Sequence, residues 1–188
     1  MVAAVPGNDL FGLGMAVVGN TVVFAINALD GMSATLWKSD GTSAGTIALK
    51  TFNGFSFRGL RAPLAAGVVG NQLVFVVDDG IHGVELWKSD LTAAGTVLLK
   101  DVQPGNLGSF PGNLVNVSGT IYFSADDGVT GNELWSTDGT EAGTVLRGDL
   151  MPGGAGSNPS PVVPMGGKLF FAATEYHVGR ELWTYSPK

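Results

Sequence analysis

The chain has 188 residues, no Cys, 45% hydrophobic and only 14% charged residues, and a formal charge of −6. That length suits one domain burying roughly 70% of its unfolded surface. The composition argues against disorder, a disulfide scaffold, a Cys-ligated metal and a basic nucleic-acid binder, and the charge disfavours an anionic membrane surface.

In chain order, the opening "MVAAVPGNDLFG" lacks the basic and long apolar stretches of a secretory leader, so none is expected in it. An apolar run "TVVFAI" (21–26) follows, then "TLWKSDGTSAGTIALKTF" (35–52). The pattern returns as "LVFVV" (73–77) with "ELWKSDLTAAGTVLLKDV" (85–102). A third pass reads as four strands, "NLVNV", "IYFSA", "NELWST" and "TVLRGDL", separated by "SGT", "DDGVTG" and "DGTEAG". Gly, Asp and Asn fill the gaps while apolar and β-branched residues fill the runs, as strands and turns require. The fourth pass begins with "LFFAA" (169–173) and reaches "ELWTYSPK" (181–188) without a DGT turn or a fourth strand. No apolar run is long enough to span a membrane.

The repeat has a measurable period. Trp37, Trp87, Trp135 and Trp183 stand 50, 48 and 48 residues apart, and Phe24, Phe75, Phe123 and Phe171 precede them by 13, 12, 12 and 12. Four short strands in roughly 40–50 residues match a propeller blade. Runs that are apolar without alternation predict strands covered on both faces, as between neighbouring blades. The expected fold is therefore an all-β, four-bladed β-propeller of one domain, with units at about 7–63, 64–113, 114–161 and 162–188 plus 1–6. Residues 2–5 are expected to supply the fourth strand of the last blade, which would remove exposed edges. A monomer is expected; the alternative is an eight-bladed ring shared by two chains.

With "ELWKSD", "ELWSTDGTEAGT" and the loop "PGNLGS" in view, the chain resembles the bacterial ELWxxDGT repeat family over nearly its whole length. Thr35 stands where that pattern has Glu, Leu91 where it has the Gly of DGT, and the first linker reads "NGFSFRGL". The resemblance implies a secreted or cell-surface repeat module and carries no catalytic residues with it.

Alternating strand directions place the second-to-third turns and the linkers between units on one face, the upper face, and the DGT turns on the lower. Asp40, Asp90 and Asp138 are expected to cap the lower turns as Asx-turns. Trp37, Trp87, Trp135 and Trp183 are expected in the core between blades, with a sugar-stacking platform as the alternative. On the upper face Asp78, Asp79 and Glu85, with Asp126, Asp127 and Glu133, offer hard oxygen donors for Ca²⁺, although the D-x-D-x-D spacing of an EF-hand loop is missing. Otherwise no cofactor is expected. His82 and His177 occupy comparable hairpins. No G-x-S-x-G, H-E-x-x-H or P-loop occurs, so the expectation is a non-enzymatic binding or structural module taking a glycan or protein at the upper face. The alternatives are a carboxylate- or metal-dependent hydrolase or lyase, and a purely architectural scaffold.

Overall fold

The computed structural model describes residues 15–28, 32–53 and 66–187, which form fifteen strands and no helix. The first sheet orders β1 (Met15–Val18), β2 (Thr21–Asn27), β3 (Ala34–Ser39) and β4 (Ile47–Phe52) side by side, all antiparallel. The second repeats this with β5 (Ala66–Val69), β6 (Gln72–Asp78), β7 (Val84–Ser89) and β8 (Val97–Lys100). The third comprises β9 (Gly112–Val117), β10 (Thr120–Asp126), β11 (Asn132–Thr137) and β12 (Val145–Gly148). The fourth has three strands, β13 (Val163–Met165), β14 (Lys168–Glu175) and β15 (Gly179–Tyr185). The strand expected from residues 2–5 lies outside the described residues.

Register repeats from sheet to sheet. Each Phe of the second strand faces the Trp of the third: Phe24 with Trp37, Phe75 with Trp87, Phe123 with Trp135 and Phe171 with Trp183. Between the third and fourth strands the register slips at the Leu-Trp step in all three four-stranded sheets. One bulge at a fixed place adds twist to each sheet.

The sheets stack in sequence order through three apolar interfaces. Val23, Leu36 and Phe52 of the first sheet pack with Leu73, Phe75 and Trp87 of the second. Val74, Val76 and Leu86 then meet Ile121, Phe123 and Trp135, while Tyr122 and Leu134 meet Leu169 and Phe171. Alternation along a strand therefore sends successive side chains of β6 into two different cores, and Leu73 to Val77 are all 1% exposed or less. This is why "LVFVV" shows no polar positions. The Leu-Trp pairs of the second and third sheets split likewise: Trp87 and Trp135 face the preceding sheet, and Leu86 and Leu134 the following one.

Candidate functional site: the linker face and its buried glutamates

The lower turns are built three times from the same atoms. Asp40 Oδ1 accepts the N–H of Thr42 at 2.9 Å and its hydroxyl at 2.7 Å. The Thr42 hydroxyl oxygen accepts Gly45 N–H at 2.9 Å, and Thr46 donates its hydroxyl to Thr42 O at 2.7 Å. Asp90 and Asp138 do the same with Thr92 and Thr140. A lysine of one sheet then reaches the turn of the next: Lys38 Nζ donates to Leu91 O at 2.8 Å and Lys100 Nζ to Thr144 O at 2.8 Å. These turns are structural joints, with the side-chain oxygens consumed locally.

Trp87, Trp135 and Trp183 lie between sheets, while Trp37 is half-buried in the first. Trp87 meets Phe52 edge-on at 5.0 Å, with Lys50 Nζ 4.8 Å above its ring. Their indole N–H groups are buried without an acceptor in all four units.

At the upper face the six carboxylates divide into two kinds. The aspartates cap their own hairpins. Asp78 accepts Gly80 N–H at 2.8 Å, and Asp79 accepts Ile81 and His82 N–H at 2.9 and 2.8 Å. Asp79 also holds His82 Nδ1 at 2.7 Å. Asp126 accepts Gly128 N–H at 2.7 Å, and Asp127 accepts Val129 and Thr130 N–H at 2.9 and 2.7 Å.

Glu85 and Glu133 do something else. Both are fully buried, and each closes on the linker that leaves its own unit. Glu85 accepts Gln103 N–H at 3.0 Å, Ser109 N–H at 2.9 Å and the Ser109 hydroxyl at 2.5 Å. Glu133 accepts Ser157 N–H at 2.7 Å and the Ser157 hydroxyl at 2.5 Å, with Leu150 N–H at 3.4 Å. The linker also touches the hairpin. A Cβ added to Gly108 would lie 2.3 Å from Val84 N, and one on Gly156 would lie 2.2 Å from Asn132 N. Gly83 and Gly131 of the hairpins meet these same linker glycines. Only Gly permits so close a backbone approach. Phe110 N–H then donates to Val84 O at 3.1 Å, and Asp126 N–H to Ser109 O at 3.0 Å, so one linker ties two sheets together.

The candidate Ca²⁺ set is thus not brought together. Its two glutamates point into the interior at linker donors, its four aspartates hold backbone N–H groups, and no three acidic or imidazole side chains gather around a cation-sized space among the described residues. His82 and His177 are likewise each engaged in their own turn. The role of the glutamates had a readable signal. In "ELW" the Glu shares a strand face with the Trp two positions on, and a face that buries Trp also buries Glu. Both Glu-to-Ser separations are 24 residues. The first unit has Ser33, Thr35 and a linker without "PGxxGS", so Gly, Glu and loop are all missing together.

Burial raises the pKa of Glu85 and Glu133 despite their hydrogen bonds. The hydrogen bond that His82 donates to the Asp79 carboxylate raises the pKa of His82. Hydrogen bonds from Thr42, Thr92 and Thr140 hold Asp40, Asp90 and Asp138 below the usual carboxylate value. The signs are opposite. Raised groups stabilise the fold below their unfolded values of 4.5 and 6.5 and lose that contribution as pH rises through the folded pKa. The lowered aspartates stabilise above 3.8 and lose their contribution as pH falls through the folded pKa. Thermal melting should therefore show higher stability at about pH 4.5 than at pH 7, with a fall below about pH 3.8. The Glu85→Gln/Glu133→Gln double variant should flatten the rise between neutral and pH 4.5; an unaltered profile would separate these groups from it.

No protein-family model matches the sequence, and no curated protein matches it. Solved structures do. A puromycin hydrolase mutant in complex with PGG superposes with a TM-score of 0.55 at 14% identity, over 93% of this chain and 26% of that one. An exo-β-1,3-galactanase from Phanerochaete chrysosporium gives a TM-score of 0.43 at 10% identity, over 94% of this chain and 47% of that one. An α-L-arabinofuranosidase from Clostridium thermocellum gives 0.43 at 11%, over 94% and 68%. The chain thus spans about a quarter of the hydrolase and half of the galactanase. The expectation of a non-enzymatic chain is corrected here: the puromycin hydrolase, which shares this fold, is an enzyme. Missing motifs misled that reading because catalytic groups on such folds come from dispersed loops, not from one contiguous phrase.

Proposed function

We propose that the chain is a β-propeller repeat module whose linker face binds an extracellular glycan, as the ligand-presenting part of a larger hydrolase-type protein. The observation that carries this reading is Phe110. Its backbone sits at φ 48°, a left-handed conformation unfavourable for a bulky residue, and its ring is 65% exposed. The equivalent residue one unit later, Asn158, adopts φ 49° and suits it. Strain retained at an exposed aromatic is the mark of a binding position. Tyr176 of the last hairpin is also 65% exposed, and Ile81 and Val129 stand exposed at the hairpin tips of the second and third units. Flat rings and apolar tips offer a pyranose a stacking surface.

A glycan array with and without Ca²⁺ tests the reading. Binding confined to one glycan class is expected. Phe110→Asn should weaken that binding at least about tenfold, since one aromatic anchor is worth more than about 1 kcal/mol. The same change should stabilise the fold by roughly 0.5–1 kcal/mol by relieving the backbone. An array silent in both conditions, or Phe110→Asn binding like the parent, would reject it.

A further inference from the structure

Among the described residues, the upper end of the fourth sheet repeats the socket of the second and third sheets without its cover. Three equivalent positions agree. Gly83 and Gly131 meet the linker backbone within 3 Å of an added Cβ, whereas Gly179 has nothing within 4 Å. Glu85 and Glu133 are 0% exposed, whereas Glu181 is exposed. Leu86 and Leu134 are 0% and 4% exposed, whereas Leu182 is 72% exposed. Beside them, among the described residues, β15 is the edge of a three-stranded sheet, where β7 and β11 each pair with a fourth strand.

We propose that this edge is a docking site for the strand-and-linker segment of another repeat unit. The occupant is defined by what fills the equivalent sockets: an extended apolar strand followed by Pro-Gly-x-x-Gly-Ser. Its strand would pair with β15 around Trp183, its linker glycine would approach Gly179, and its Ser N–H and hydroxyl would close on the Glu181 carboxylate. Its apolar side chains would cover part of Leu182, as Leu99 and Val102 pack with Leu86 alongside Ile121 and Phe123 of the next sheet. Strand addition supplies the backbone hydrogen bonds, and the Glu–Ser closure supplies selectivity for the linker. The chain's own residues 1–14 contain Pro-Gly but no Gly-Ser pair, so they match the socket less well than the segments at 97–109 and 145–157.

The test uses the full chain and a synthetic peptide with the sequence of residues 96–109, TVLLKDVQPGNLGS. Saturable binding is expected, read by isothermal titration and by a change in tryptophan fluorescence. Glu181→Gln in the protein, and Ala in place of the peptide's Ser, should each weaken it about tenfold or more, the worth of a hydrogen bond to a charged acceptor. Glu181 is exposed, so its replacement leaves the fold intact. Absence of binding would overturn the proposal, as would binding indifferent to both changes. So would protection from exchange, in the free protein, of those β15 amides that do not bond β14, since that would put the chain's own residues on the edge.

Discussion

Glu133→Ala is expected to lower the unfolding free energy by about 3–5 kcal/mol, measured by chemical denaturation. The carboxylate is fully buried and holds the Ser157 N–H and hydroxyl and the Leu150 N–H. Removing it leaves those donors facing an apolar core, and an unsatisfied buried donor costs more than a hydrogen bond is worth net. The loss should extend past one sheet. Ser157 O accepts Thr174 N–H, so the linker released by Glu133 also frays β14 of the next unit. Glu133→Gln, which keeps size and one carbonyl acceptor, should cost only about 1–2 kcal/mol. Combining Glu133→Ala with Ser157→Ala should cost clearly less than the sum of the two, because they share one interaction. Strict additivity would mean that the closure holds no energy. Thr35 supplies an internal control: it sits at the Glu position of the first unit and bonds Thr51 at 2.9 Å, so Thr35→Ala should stay within about 1 kcal/mol.

Trp87→Ala should cost about 3–5 kcal/mol. The indole fills the interface between the first and second sheets, touching Phe52 and lying under Lys50. Truncation empties that space in the middle of a stack, where neither neighbouring sheet can collapse inward without disturbing its own register. Trp87→Phe should cost far less: it keeps the ring contact and deletes an N–H that is buried without an acceptor. Trp183→Ala should fall well below Trp87→Ala, because Trp183 is only half-buried in the three-stranded sheet. Equal losses at Trp87 and Trp183 would contradict an interface that matures only where sheets lie on both sides.

What the residues alone determined was the repeat: its period, its four-strand units and the Asx-capped lower turns. Each depends on neighbours close in the chain, where turn chemistry and the two-residue strand period act directly. "LVFVV" even reported that its strand is covered on both faces, because no polar side chain was affordable there. The role of "ELW" needed the third dimension. Its Glu is a carboxylate beside an acidic hairpin, and one-dimensional reading gave it a cation as partner. The fold gave it the Ser 24 residues on, because the linker crosses back over the hairpin and a backbone N–H has no letter in the sequence. Phe110 was silent for a similar reason: backbone strain and exposure are set by where the linker is forced to turn, not by the residues around it. The last unit likewise keeps its Gly and Glu, and only the register of the sheets showed that Gly179 and Glu181 stand where Gly83 and Glu85 do.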